Sequence, residues 1–330
     1  MSLWSGIARL AIVLPTISLA TIWACAAVWV DGPSSRLAAG ILSAGIAGTT
    51  IALFALVRPH IKATAAFLFL FGLVLIWWLG LEPSNEREWL PEVAKLPRIT
   101  IEGNHVTVEN VRNFEYRSET DFTEHWETRS YDLEQLRGID FFMSYWGSPL
   151  IAHTIMSWDF GDGKHLAISI ETRKEVGESY SALLGFFRQY ELYYVVADER
   201  DLIGVRTNHR GELVRRYRLQ TPPELDRAVL LDYFEAINRL ADEPRWYNAM
   251  LQNCTTTIRH HVQHVAPKNP FNWRILVNGT LDELGYMRGT IDNRLPFEEV
   301  RKRADITARA KSAGSSADFS TQIRKETTGI

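Results

Sequence analysis

The stretch Ala152-His-Thr-Ile-Met-Ser-Trp-Asp-Phe-Gly-Asp-Gly-Lys-His-Leu-Ala-Ile-Ser-Ile-Glu-Thr-Arg173 decides how this chain is read. Two runs of strand-forming residues, Ala152–Trp158 and His165–Glu171, flank Gly161-Asp162-Gly163, so the stretch predicts a β-hairpin. A turn centred on Asp162 pairs His153 with Glu171 and His165 with Asp159. Directly opposed residues in an antiparallel ladder share a face, with Cβ atoms roughly 5 Å apart. Glu171 is thereby placed to hold the His153 imidazole from the neighbouring strand. His165 lies much nearer the turn, away from any group that meets His153. The plainer reading of His153, a strand histidine bonded to solvent or backbone, stands beside this one.

Outward from the hairpin, Arg98–Ile101 and His105–Glu109 alternate around Glu-Gly-Asn as a second hairpin. Leu192–Ala197, Leu202–Thr207 and Leu213–Leu219 read as strands. Residues 112–148 are aromatic and charged without clear periodicity. Leu225, Val229, Leu230, Phe234 and Ile237 recur at helical spacing after Pro222-Pro223, predicting a helix over 224–240. A further helix is predicted from near Asn253 to about Val265, ended by Pro267. Antiparallel strands with a few helices make an α+β domain.

The N-terminal part is a different material. Residues 1–81 carry five charged side chains (Arg9, Asp31, Arg36, Arg58 and Lys62), whereas the remaining 249 carry 32 basic and 38 acidic ones. Three charge-free runs, about Leu10–Val30, Leu37–Val57 and Ala63–Leu81, each have the roughly 20 residues that a helix needs to cross a hydrocarbon core. Trp77 and Trp78 fall where interfacial aromatics concentrate. Gly40, Ala44 and Gly48 form a small-residue stripe that would admit a neighbouring helix, or is idle composition. Arg58 and Lys62 in the second loop set the expected orientation: N-terminus and second loop cytoplasmic, first loop and residues 82–330 outside. The sequence Ile22-Trp23-Ala24-Cys25 faintly suggests a lipid-attachment cysteine. Trp23 is bulky for that, and the chain stays apolar beyond, so Cys25 reads as an inert helix residue. The expected organisation is an anchor over 1–81, a linker over 82–97, a thiol domain over 98–310 and a loose tail over 311–330 in which Phe319-Ser-Thr-Gln-Ile-Arg324 is a candidate to dock.

The net charge of −3 excludes a strongly basic nucleic-acid binder, and two cysteines exclude a disulfide scaffold or multi-Cys zinc ribbon. Cys254 is the sole cysteine beyond residue 81. Asn253 is a good N-cap, which makes Cys254 the first helical residue, where free N–H groups and the helix dipole favour a thiolate. A lone cysteine is also often a small buried hydrophobe. His260, His261 and His264 resemble a zinc pair on one helix face, but the glutamate such a motif requires is missing, so no metal is expected. No cofactor is expected.

Several motifs in one order, Asn110-Val-Arg-Asn-Phe-Glu-Tyr-Arg-Ser-Glu-Thr-Asp-Phe122, the hairpin above, Asn253-Cys-Thr-Thr256, Leu295-Pro-Phe-Glu-Glu299 and Asp318-Phe-Ser320, resemble the Lnb-type periplasmic domain family over about residues 97–325. The family looks like a circularly permuted relative of NlpC-type and papain-type cysteine enzymes, with the His strand ahead of the Cys helix. Behind the three transmembrane helices that the apolar runs predict, the resemblance implies a permuted papain-like domain with an antiparallel sheet and a Cys-bearing helix; the family domain itself does not require those helices. The resemblance further implies a thiol site with Cys254 as nucleophile and His153 as base. Its namesake is a lipoprotein N-acyltransferase of the bacterial envelope, and lecithin:retinol acyltransferase shares the permuted order. Glu171 as the third group rests on the hairpin alone. Asn253 is a candidate second oxyanion donor, and Arg112, Arg117 and Arg173 are candidates to line the cleft. The leading expectation is acyl transfer through a Cys254 thioester at the inner membrane, with membrane lipids as partners and lipoproteins or peptidoglycan as further ones. A cysteine amidase or peptidase of the envelope and a non-catalytic binding module are the alternatives.

Overall fold

The structure, a computed structural model, describes residues 3–266, 270–275 and 277–325. It divides into two compact units: Met1–Pro83 together with Ser181–Tyr190, and Ser84–Tyr180 together with Glu191–Ile330.

The first unit holds α1 (Leu3–Asp31), α2 (Arg36–Leu56) and α3 (His60–Leu79). Val13–Asp31, Arg36–Leu56 and His60–Leu79 are long and apolar enough to cross a membrane. Small residues make the inter-helix contacts: Ala24, Ala27, Ala39 and Ala63 are buried. The Cys25 thiol donates to the Ser43 carbonyl (3.2 Å) and the Ser43 hydroxyl to the Cys25 carbonyl (3.0 Å). Leu19, Ile22, Leu37 and Ile51 point outward, as in helices whose solvent is lipid. Of the predicted small-residue stripe, Gly40 abuts the Trp29 ring, whereas Gly48 faces open space.

The second unit is built on an eight-stranded sheet, formed from β1 (Arg98–Glu102), β2 (His105–Arg112), β5 (Trp126–Asp132), β6 (Gly138–Tyr145), β7 (Ala152–Asp159), β8 (His165–Arg173), β9 (Glu191–Ala197) and β10 (Leu213–Arg218), beside a small β3–β4 ribbon (Glu115–Tyr116, Phe122–Thr123). The order is β1-β2-β9-β8-β7-β6-β10, with β5 also on β2; every pairing is antiparallel except the single parallel contact of β2 with β9. The β7–β8 register follows the turn as read from sequence: Asp159 faces His165 and Ile155 faces Ser169. Gly161, Asp162 and Gly163 all have positive φ, the conformation that glycine and aspartate tolerate best.

One face of the sheet, through Phe142, Ile155 and Ala167, packs on Leu202, Ile203, Ile306, Ala310, Phe319 and Ile323. The other carries Trp158 against Tyr233 of α5 (Pro223–Asp242). α6 (Cys254–Val265) packs beside α5 and against β7 and β8. Short helices follow: α7 (Leu281–Arg288), α8 (Phe297–Ala304), α9 (Thr307–Ala313) and α10 (Phe319–Gln322).

Four expectations are corrected. Residues 84–97 are packed into the second unit: Val93 is core and Trp89 stacks on the Arg173 guanidinium (4.2 Å). Residues 112–148 hide β6, which sits between β7 and β10 with nearly every residue buried, so neither face alternates with solvent and no period of two appears. Leu202–Thr207 is helical: α4 (Glu199–Leu202), capped by Asp198 accepting from the Arg200 N–H (2.8 Å), runs on into a wider turn over Val205–His209. The tail is less loose than expected before its docked segment: α9 runs through Ala313 with Ala310 and Ala313 buried, while Phe319–Arg324 docks as the sequence allows, with Phe319 and Ile323 buried and the Arg324 guanidinium bonding Asp140 and Glu199. The helix stop assigned to Pro267 lies outside the described residues.

Candidate active site

Asn253 caps α6 in a reciprocal box. Its Oδ1 accepts from the Thr256 N–H (2.9 Å), and the Thr256 hydroxyl accepts from the Asn253 N–H (3.0 Å). That fixes Cys254 as the first helical residue, with its thiol buried. The His153 ring and Thr154 stand beside the sulfur and act on its charge, and the Thr154 hydroxyl is buried there without a hydrogen-bond partner. β7 pairs with β8 only from Ile155 onward, so Thr154 stands just outside that ladder.

The far side of the ring is held from β8. His153 Nε2 lies 2.6 Å from the Ser169 hydroxyl and 3.5 Å from Glu171 Oε1, and Ser169 donates to Glu171 Oε1 (2.7 Å). With Nε2 engaged there, Nδ1 is left for the sulfur. Glu171 is held in turn by Arg206 (2.8 Å), which reaches Glu212 (3.4 Å), itself bonded by Ser144, the residue opposite His153 on β6.

Charge follows the geometry. Burial alone would push the Cys254 thiol up; the charge and polar groups of His153, with Thr154 beside them, overcome it and bring the thiol down to about 6. Burial and the nearby Arg206 charge push His153 down, and the Cys254 thiolate together with the Cys254 and Glu171 hydrogen bonds raises it on balance. Burial opposes ionisation of Glu171, yet the His153 bond and the charges of Arg206, His153 and Arg112 hold its carboxyl well below the usual range. The arrangement favours a thiolate beside an imidazolium, the resting state of an activated thiol.

Beyond Thr154 and Thr255 lies a cavity of about 370 Å³, lined by apolar side chains that include Phe141, Met156, Val229, Ile258 and Val262.

The other sequence candidates fall elsewhere. Asn253 gives one amide N–H to the Ala249 carbonyl (2.8 Å) and its oxygen to the cap, which leaves one of its two amide N–H groups for another acceptor. Arg112 is buried and grips Asp201 through Nε and a terminal nitrogen (3.0 and 2.7 Å). Arg173 is buried against Trp89 and donates to the Val93 and Ala94 carbonyls. Arg117 is exposed and paired with Asp121 (2.5 Å). None of the three is brought to the thiol, because the fold uses their guanidinium groups as internal bonds. Sequence reasoning missed Thr154, Ser169, Arg206 and Glu212. Ser169 was available two residues before Glu171 on the same strand face; Arg206 was concealed by reading its stretch as a strand.

Of the helix histidines, His261 is locked between Asp232 (2.6 Å) and the Tyr194 hydroxyl (2.8 Å), and burial drives it down to about 4 despite the Asp232 bond. Asp140, His165 and Glu199 bring ligand atoms within 4.8 Å of one another, with Arg324 bonded to both carboxylates. A cation could enter there only if Arg324 withdrew.

With the site described, its kinship can be stated. Residues 122–279, which include both His153 and Cys254, match the family model of the Lnb N-terminal periplasmic domain. The match supports the Lnb-type family and a periplasmic domain, in a chain that also has three N-terminal helices long and apolar enough to cross a membrane. No curated protein and no solved structure matches the chain.

Proposed function

We propose that this chain is a thiol acyltransferase of the bacterial inner membrane, with a permuted papain-like domain on the outer side and Cys254 as nucleophile. The observation that carries the proposal is the Cys254 thiol, held at a helix start and drawn down to about 6 by His153 and Thr154. The Cys254 thiolate attacks an ester carbonyl of a membrane lipid. The lysolipid alkoxide leaves with the proton held on His153, and the acyl group remains as a thioester. An amine, such as the amino terminus of a lipoprotein, then attacks the thioester carbonyl. His153 takes the amine proton, the C–S bond breaks, and an amide and the original thiolate result. The backbone N–H of Cys254 serves the developing oxyanion, and the unpartnered Thr154 hydroxyl or the remaining Asn253 amide N–H is the second donor. Ser169 and Glu171 orient the ring through Nε2. The apolar cavity beside Thr154 and Thr255 gives an acyl chain a dry place to lie.

The test is mass spectrometry of full-length protein in phosphatidylethanolamine vesicles. The expected result is an acyl mass on the Cys254 peptide, discharged as an N-acyl product when a lipopeptide amine is added and absent in Cys254→Ser. Discharge only as free fatty acid would make the site a hydrolase. Cleavage of muropeptides without any acyl adduct would make it an envelope amidase or peptidase. Neither adduct nor cleavage would leave a binding module.

A further inference from the structure

The connection from β8 to β9 contains Ser181-Ala-Leu-Leu-Gly-Phe-Phe-Arg-Gln-Tyr190, and this segment belongs to the compact unit of the three apolar helices. Residues 179–187 carry no charge, although the chain beyond residue 81 is dense in charge. Arg188 fastens the segment to the helix ends. Its backbone N–H donates to Asp31 Oδ2 (3.2 Å), the last residue of α1, and its guanidinium bonds the Leu81 carbonyl just past α3. The guanidinium also stacks 4.7 Å from the centre of the Trp78 ring, while the Trp78 indole N–H donates to the same Asp31 oxygen (2.6 Å).

Within the segment the apolar residues sort by direction. Phe187 and Tyr190 are buried, whereas Leu183 and Phe186, three residues apart around the tight turn Leu184–Phe186, are 70% and 42% exposed. Asp31 and Leu81 mark where apolar spans give way to polar chain, which is the hydrocarbon–headgroup boundary of a spanning helix. A turn pinned at that level, with two large apolar side chains outward and an arginine and an indole beside it, has the composition of an interfacial anchor.

We infer that Ser181–Tyr190 is a membrane-surface contact in which Leu183 and Phe186 insert at the acyl–headgroup boundary of the bilayer that the helices span. The occupant is phospholipid, because the same residues that hold the segment (Asp31, Trp78 and Leu81) are the ends of the spans. The contact is independent of any chemistry at Cys254. It gives the β8–β9 connection, which leaves the strand that carries Ser169 and Glu171, a lipid attachment of its own.

The test places a photo-crosslinking amino acid in the full-length chain, as Leu183→p-benzoylphenylalanine or Phe186→p-benzoylphenylalanine, in vesicles of phosphatidylethanolamine and phosphatidylglycerol. The same change at Leu19, an outward-facing position on α1, calibrates lipid capture. The expected result is a phospholipid-mass adduct at 183 and at 186 with a yield within a few fold of that at 19. Lipid capture at 19 with none at 183 and 186 would overturn the inference, and so would adducts there only to protein, whether the same chain or a second copy.

Discussion

At the residue scale, three side chains make one unit: the Cys254 sulfur, the His153 ring and the Glu171 carboxylate, the last acting through Ser169 as well as directly. The thiolate forms as pH rises through about 6, and His153, raised above its ordinary value, stays protonated beyond that point. The active ion pair therefore occupies a window between the two titrations. Glu171→Gln removes one of the bonds that raise His153. Acyl transfer measured against pH should keep its lower limb near pH 6, lose its upper limb at a lower pH, and fall roughly 10- to 100-fold at the optimum. An upper limb that does not move would remove Glu171 from the site. Cys254, His153 and Glu171 were legible in the sequence because a glycine-flanked turn fixes strand parity and an asparagine cap fixes a helix start. Thr154, Ser169 and Arg206 were not, since register says which residues share a face but not which side chain reaches. The arginine candidates failed for a related reason: nothing local in a sequence distinguishes a guanidinium that meets a ligand from one that ties the chain together, as Arg112 does with Asp201.

At the scale of elements, α6 gives Asn253 a structural task of its own. Its amide oxygen and one of its two amide N–H groups are taken up at the helix start. Asn253→Ala should lower stability to denaturant by about 1 kcal/mol, as loss of a cap does. With Thr154 as the second oxyanion donor, the variant's acyl-transfer rate should stay within about tenfold of the parent, whereas losing an oxyanion donor costs about 100- to 1,000-fold. A hundredfold loss of rate with unchanged stability would make the Asn253 amide that donor. The hairpin β7–β8 was readable from its Gly-Asp-Gly turn although both strands are almost wholly buried, and the amphipathic α5 was readable because one of its faces lies in the core and the other partly outside it. β6 lost its period by being buried on both sides. Leu202–Thr207 has strand-forming composition, yet Asp198 starts a helix there and the turn that follows carries Arg206 to Glu171.

At the scale of the molecule, the near-balanced charge of the chain conceals an anchor of net +3 and a domain of net −6. The boundary is less simple than one cut in the sequence, since Ser181–Tyr190 joins the helices from within the second half of the chain. The C-terminal segment is also more than a tail. Arg324 bonds Asp140 and Glu199, both fully buried, and although burial works against ionisation its charge helps to bring Glu199 down to about 2. A carboxyl lowered in this way stabilises the fold above its ordinary pKa, and that contribution is lost as pH falls toward about 2. Arg324→Ala leaves the buried Glu199 without its ion pair, while Asp140 keeps Arg216, and should destabilise the protein by about 3–5 kcal/mol near neutral pH. Because the lowering of Glu199 is then gone, part of the deficit should close on acidification, a trend that urea unfolding at pH 7 and pH 4 would show. Alkylation of Cys254 as a function of pH, in the full chain with Cys25→Ser, tests the thiolate–imidazolium pair most directly. A labelling midpoint near pH 6, moved toward the ordinary thiol range by His153→Ala, is the expected result. A midpoint near 9 that His153→Ala leaves unchanged would contradict it.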